Sequence, residues 1–280
     1  MEDRRCDLHI HSAFSDSDHT IEDIFLEAKQ KGMGCIAIAD HDTVDGLKSA
    51  RMCSEMHGVE LVEALELSAR HKDSEIHILG YFIDSDNKRL KSELARIRQL
   101  RKERLIWMSD KLNSLGVKVD SQEMFSNIKD SIPTRLHLGL YLLEKGIVSS
   151  LRQAFTKYLS PGRPAYKHYF KHSVKEAIEL IRSAGGLSFL AHPHIIVNQS
   201  FVEEIVSLGI DGLEVVYPNM PPVKRSLYKN IALKSNLLQS GGSDSHGSFK
   251  QYIGIGEVTI PYTWIERMRE ALKLRSVPAR

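Results

Sequence analysis

Cys6-Asp7-Leu8-His9-Ile10-His11 is an apolar run carrying two histidines two places apart. Side chains alternate along a strand, so His9 and His11 point to one side while Leu8 and Ile10 point to the other. Reading outward, Ile21, Ile24, Phe25 and Ala28 form a helical stripe that stops near Gly32, and residues 35–40 form a second buried strand. Residues 44–57 suit a helix, 60–68 a strand and 75–82 another strand, with short polar or glycine-containing connections. From Lys88 the rhythm changes, because Leu90, Leu94, Ile97, Leu105, Met108, Leu112 and Leu115 recur at helical spacing up to Gly116. Shorter helices are predicted at 122–128, 135–145 and 150–158, before Pro161, Gly162 and Pro164 punctuate the return. Alternation then resumes with helix 174–184, strand 187–192, helix 201–208, strand 212–216, helix 223–235, strand 238–243 and a terminal helix from Tyr262. The expected organisation is an α/β body from residues 1–85 and 168–280, interrupted by a helical insertion at 86–167. Strands that each end in polar residues before a helix indicate a (β/α) barrel with its site at the carboxyl face, and a doubly wound sheet is the alternative.

Bulk properties narrow the class of protein. With 280 residues, 42% hydrophobic and 26% charged, the chain can bury a full core. No apolar run reaches bilayer length, and the charged start leads directly into a strand, so the expectation is a soluble, cytoplasmic protein with no membrane association. Three cysteines, Cys6, Cys35 and Cys53, form no C-x-x-C pair, which speaks against a disulfide framework and a zinc knuckle. A net charge of +2 is too small to signal a nucleic-acid binder by itself. Residues 88–118 nevertheless carry ten Lys/Arg against three Asp/Glu, which either guides RNA or is a solvated helix face. No exposed apolar helix nominates a protein partner.

The thirteen histidines carry the chemistry. Besides His9 and His11, Asp16 follows in a serine-rich turn, His41 lies between Asp40 and Asp42 after the second strand, Glu66 closes the third, and His77 lies on the next. Far along the chain His192 ends Leu187-Ser188-Phe189-Leu190-Ala191-His192, and Asp244 and His246 sit in Gly241-Gly242-Ser243-Asp244-Ser245-His246. Any one of these residues is most simply a hydrogen-bonded structural group or a helix cap. Together they place neutral imidazole and carboxylate at one end of successive strands, which is a ligand set for Mn, Zn or Fe and too rich for a single ion. His19, His57, His71, His137, His168 and His172 lie outside these motifs and read as surface or capping residues.

These motifs resemble those of the PHP (polymerase and histidinol phosphatase) superfamily of phosphoesterases. DLHIHSAFSD resembles its first motif, ADHDTVDG its second, AHP its third and GGSDSH its fourth, in order across nearly the whole chain. The resemblance implies a distorted seven-stranded (β/α) barrel and three divalent ions, with Mn expected. One ion would be held by His9, His11, Glu66 and Asp244, a second by Glu66, His77 and His192, and a third by Asp16, His41 and His246. Asp40 and Asp42 would then fix imidazole orientation. The insertion is similar to that of the nucleoside 3′,5′-bisphosphate phosphatase branch, which is also a 5′-to-3′ exoribonuclease, through EIHILGYFID, Thr134-Arg135-Leu136-His137 and KYLSPGRPAYKH. On that basis Arg135 would hold a phosphate bidentately, with Lys167 and Arg163 as further cations, and the insertion would be a lid over the metals. His194, where many relatives have Gly, would contact the scissile phosphate or protonate the leaving oxygen, unless it is a solvated loop residue. The implied nucleophile is a hydroxide bridging two metals, and the implied substrates are pAp and short 5′-phosphorylated RNA. Histidinol-phosphate phosphatase or another small-molecule phosphatase or phosphodiesterase, a non-catalytic module, and a basic RNA-binding module are the alternatives.

Overall fold

A computed structural model describes residues 4–128, 130–168, 172–250 and 253–276. Its sheet is built first from β1 (Arg5–Ile10), β2 (Cys35–Ile38), β3 (Glu60–His71) and β4 (Ser74–Tyr81). It continues with β5 (His172–Ser173), β6 (Leu187–Leu190), β7 (Gly212–Val216), β8 (Leu238–Gly241) and β9 (Ile260–Pro261). The strand order is β8-β7-β6-β4-β3-β2-β1-β9, with β5 beside β3. A parallel bridge from Ile10 to Ser245, with His11 N–H donating to Ser245 O at 2.9 Å, brings the segment after β8 against the end of β1. The sheet is therefore a nearly closed barrel. Gly242 allows that closure, since a Cβ there would lie 2.4 Å from the backbone nitrogen of His9.

Around the barrel lie α1 (Ile21–Gln30), α2 (Leu47–His57), α7 (Val174–Ser183), α8 (Ser200–Ser207), α9 (Pro222–Lys234) and α10 (Thr263–Ser276). The separate run of helices is α3 (Lys88–Ser114), α4 (Ser121–Ser126), α5 (Arg135–Glu144) and α6 (Leu151–Ala154), which passes into a π-helical turn at Phe155–Leu159. Helices α1 and α7 open with reciprocal caps, Thr20 with Asp23 and Ser173 with Glu176. No helix among the described residues is long and apolar enough to cross a membrane.

The barrel departs from simple strand-helix repetition between β3 and β4. β4 returns antiparallel on β3 through a tight turn and pairs antiparallel with β6, so no helix separates β3 from β4. That reversal is the distortion of the barrel, and it turns His77 back toward Glu66. β5 and β9, at two residues each, are too short to show a periodicity in the sequence. α2 begins three residues after the expected start at 44, because a turn at residues 45 and 46 precedes the helix.

Buried apolar side chains form two clusters. The larger fills and surrounds the barrel and includes Leu90, Leu94 and Ile97 from the first half of α3. The smaller joins Leu105, Met108 and Leu112 from the second half of α3 with Leu138, Tyr141, Leu142 and Leu159. α3 thus spans both cores, and the buried residues at their junction are Arg101 and Arg104.

Candidate metal centre

Strand ends deliver the site. β1 carries His9 into the barrel mouth and His11 follows it, His41 comes just after β2, Glu66 lies on β3 and His77 on β4. His192 follows β6, Asp244 and His246 follow β8, and Asp16 reaches in from the turn after β1. Asp42, His192 and Asp244 have φ of 48°, 31° and 49°, a left-handed backbone that non-glycine residues adopt when the surroundings enforce it.

All nine expected ligands converge. Glu66, only 1% exposed, is the hub. Its Oε1 lies 3.1 Å from His77 Nδ1 and 3.0 Å from His192 Nε2. Its Oε2 lies 3.4 Å from His9 Nε2, 3.3 Å from His11 Nε2 and 3.1 Å from His41 Nδ1. Asp244 Oδ1 approaches His9 at 3.4 Å and His11 at 3.1 Å, and Asp16 Oδ1 lies 3.5 Å from His11 Nδ1 and from His246 Nε2. Donor atoms close enough to share an ion fall into overlapping groups: His9, His11 and Asp244; His41, Glu66 and His77; and His11, Asp16, His41 and His246.

Electrostatics inside this cluster shows what it lacks. Burial opposes charge on His11 and His77, but the surrounding carboxylates outweigh it and raise His11 to about 9 and His77 to about 10. For His41 burial wins, and the ring is pushed down to about 3. His9 and His11 bring their Nε2 atoms within 3.1 Å of each other. Asp16 Oδ1 and His41 Nδ1 are buried without a hydrogen-bond partner. Imidazole nitrogens and carboxylate oxygens packed this closely at low dielectric, with one Asp16 oxygen lacking a donor, call for positive charge among them, as protons or as metal ions. Imidazole nitrogen and carboxylate oxygen suit divalent ions, so the residues fit a divalent metal centre.

Asp40 and Asp42 do not orient imidazoles as expected. Asp40 accepts from Ser12 N at 2.7 Å, Ser12 Oγ at 2.6 Å and Ser15 Oγ at 2.5 Å, fixing the turn that leads to Asp16. Asp42 accepts from Ser68 N at 2.8 Å and from Arg101 Nε at 2.8 Å, tying the loop of His41 to β3 and α3. Both acids are instead satisfied by donors 25 to 59 residues away in sequence, serines and an arginine that the fold packs against them. Lys167 is also misplaced: its ammonium lies 5.1 Å over the Trp107 ring and does not line the cavity described next. Arg163 is exposed. His194 is half-buried, packs against Tyr217 at 4.6 Å between centroids, and leaves its Nδ1 buried without a partner. Tyr217 in turn donates its hydroxyl to Asp244. His137 caps α5, accepting from Thr134 N at 3.1 Å.

Beside the metal centre is a cavity of about 120 Å³ whose walls include Asp16, His41, His77, Arg101, Arg104 and Arg135. Arg101 is neutralised by Asp42, and Arg135 lies 3.4 Å from Glu75 Oε2. Arg104 is 5% exposed, and its Nε and Nη2 have no hydrogen-bond partner. Burial and the neighbouring Arg135 charge lower its pKa to about 10. Tyr166 lies under both guanidinium groups, 5.6 Å from Arg104 and 5.3 Å from Arg135. An unsatisfied, desolvated guanidinium next to a second one is a receptor for an anion.

Arg104, Glu214 and Tyr217 were not foreseen. Arg101 and Arg104 interrupt the apolar stripe of α3 between Ile97 and Leu105, and Glu214 interrupts the apolar strand Leu213-Glu214-Val215-Val216. A charge in a position that the pattern assigns to the core is the signal that would have found them. Tyr217 left no such signal.

Known proteins match this arrangement. Residues 7–186 match the PHP domain family. A 5′-3′ exoribonuclease of Haemophilus influenzae is 29% identical over 248 residues, covering 87% of this chain and 90% of that protein. A phosphoribosyl 1,2-cyclic phosphate 1,2-diphosphodiesterase of Eggerthella lenta is 27% identical, covering 89% of this chain and 97% of its own. A 3′,5′-nucleoside bisphosphate phosphatase of Chromobacterium violaceum is 29% identical, covering 86% of each. Among solved structures, one from Bifidobacterium adolescentis described as a metal-dependent phosphoesterase superposes with a TM-score of 0.87 at 28% identity, covering 95% of this chain and 96% of that one. The family match runs through well over half of the chain and most of the strands that carry the ligand groups, and the chain accordingly belongs to the PHP domain family and is a metal-dependent phosphoesterase.

Proposed function

We propose that this enzyme hydrolyses the 3′-phosphate of nucleoside 3′,5′-bisphosphates, converting pAp to AMP and phosphate, and that the same cut releases mononucleotides from the 5′ end of short 5′-phosphorylated RNA. The observation that carries this reading is Arg104, with Nε and Nη2 unsatisfied, beside Arg135 in a cavity that shares Asp16, His41 and His77 with the metal centre. A volume of about 120 Å³ suits a phosphate group and not a whole nucleotide. Such a pocket binds a second phosphate of the substrate while the scissile one meets the metals. A nucleoside 3′,5′-bisphosphate and a 5′-phosphorylated RNA both present two phosphates across one ribose.

In this reading His9, His11, Glu66 and Asp244 hold one ion, Glu66, His77 and His192 a second, and Asp16, His41 and His246 a third, with Mn the working metal. Bound divalent ions supply an activated water and neutralise charge on the scissile phosphate. Arg104 and Arg135 fix the 5′-phosphate, so that the ribose 3′-oxygen faces the ligand cluster. Tyr217 holds one oxygen of Asp244 and leaves the other toward His9 and His11. His194, at the edge of the cluster against Tyr217, contacts the scissile phosphate or its leaving oxygen. The helical segment 86–167, which contributes Arg101, Arg104 and Arg135, is the lid of this pocket, and the cytoplasm is where such nucleotides are met.

The relative in Eggerthella lenta supports a second reading, since by its name a phosphoribosyl cyclic phosphate also joins a ribose phosphate to a reacting phosphoester. The deciding experiment follows phosphate and product release by Mn-reconstituted enzyme from pAp, AMP, histidinol phosphate and phosphoribosyl 1,2-cyclic phosphate. RNA oligomers with 5′-phosphate and 5′-hydroxyl ends are followed in parallel for mononucleotide release. Turnover of pAp with trimming of only the phosphorylated RNA is expected. Preference for the cyclic phosphate or for histidinol phosphate would replace the substrate assignment.

A further inference from the structure

Glu214 stands on β7 with its side chain in the barrel and is 0% exposed. Its two oxygens do different work. Oε1 lies 2.9 Å from Nδ1 of His9, and Oε2 accepts the backbone N–H of His192 at 2.6 Å. The first contact makes Nδ1 the protonated nitrogen of His9 and leaves the Nε2 lone pair toward His11, Glu66 and Asp244, at 3.1, 3.4 and 3.4 Å. The second holds His192 in a left-handed conformation, φ 31° and ψ 57°, from which its Nε2 reaches Glu66 at 3.0 Å. His9 and His192 come from different strands and face opposite oxygens of Glu66.

We infer that Glu214 is a positioning residue that builds two metal positions at once, setting the tautomer of His9 and the backbone of His192 with a single carboxylate. This rests on the metal reading of those two histidines and is independent of the substrate. A carboxylate is required because both contacts need an acceptor. A glutamine at this position has one acceptor oxygen and one NH2 group. If the oxygen keeps the His192 N–H, the NH2 faces His9 Nδ1, which must then accept. The ring proton moves to Nε2, and a protonated Nε2 cannot ligate.

The test compares wild type with Glu214→Gln and Glu214→Ala, measuring Mn or Zn content per chain and affinity by chelator competition, with the imidazole N–H of His9 read by nitrogen-15 NMR in the Zn-loaded form. The isosteric Glu214→Gln is expected to bind metal roughly 10- to 100-fold more weakly and to lose the His9 Nδ1–H signal, while the metal-free protein melts close to wild type. A merely space-filling role predicts the reverse ranking, with Gln harmless and Ala damaging. Glu214→Gln with wild-type metal content and affinity would overturn the inference, and Gln keeps the test valid if the alanine variant does not fold. Wild type that loads metal but leaves pAp intact would overturn the substrate assignment and leave the role of Glu214 standing.

Discussion

At the scale of single residues, the groups assigned here to metal and those assigned to substrate should fail differently. Asp244→Asn removes a carboxylate facing both His9 and His11, so turnover should fall to background and metal content should drop. A fully active, fully loaded variant would remove Asp244 from the ligand set. Arg104→Met should leave metal content unchanged and raise KM for pAp roughly 10- to 100-fold, the value of a charge-assisted hydrogen bond of about 1.5–3 kcal/mol. The same change relieves a buried cation whose Nε and Nη2 have no partner, so the variant should be more stable by about 1–3 kcal/mol in urea unfolding. Weaker binding together with higher stability is the combination that marks a residue kept for binding. A variant that loses stability would show that Arg104 serves the packing of α3. The resemblance named Arg135 but not Arg104, because Arg135 stands in a recognisable segment while Arg104 is one basic residue among many on its helix.

At the scale of elements, α3 joins the two cores, and Arg101 is its fastening. The Arg101–Asp42 pair is buried, with side chains 7% and 0% exposed, and Arg101 Nη2 also donates to Ser68 Oγ at 2.9 Å. Ser131 Oγ donates to Ser15 O at 2.7 Å, and Ile132 N–H donates to Phe14 O at 2.9 Å, tying the segment before α5 to the turn that carries Asp16. Arg101→Ala leaves Asp42 buried and uncompensated, so it should cost about 3–5 kcal/mol of stability, measured by denaturant unfolding of metal-free protein. Adding Asp42→Asn should recover part of that loss, and a cost below about 1 kcal/mol for Arg101→Ala would show the pair to be dispensable. The amphipathic pattern of α3 was legible from Leu90, Leu94, Ile97, Leu105, Met108 and Leu112. That its buried face meets one core and then another was not, since periodicity reports burial and not what does the burying.

At the scale of the whole molecule, the barrel mouth gathers carboxylates and imidazoles that only cations reconcile. Removing metal with a chelator should therefore lower the melting temperature, and restoring Mn at a thousand times its Kd should return about 4 kcal/mol per site. In the metal-free protein His11 is held up at about 9 and His77 at about 10, so below those values each carries a proton that an entering ion must displace. Metal affinity should then weaken steadily as pH falls, and chelator competition at about pH 6, 7 and 8 that shows no trend would contradict this charge balance. What the sequence alone determined is the set of histidines and acids gathered at the mouth and the barrel that carries them. His9 and His11, Asp40-His41-Asp42, and Asp244 and His246 are neighbours along the chain at or just after strand ends, so the local chain brings each set to the barrel mouth. Tertiary structure alone decided which acids meet imidazoles. Asp40 and Asp42, beside His41 in sequence, turn to serines and an arginine, while Glu214, 205 residues from His9, supplies its hydrogen bond. It also decided that Arg104 and Arg135 share one cavity. Covalent neighbourhood fixes local direction, but meetings between distant strands and helices depend on how the sheet curls and where α3 crosses it.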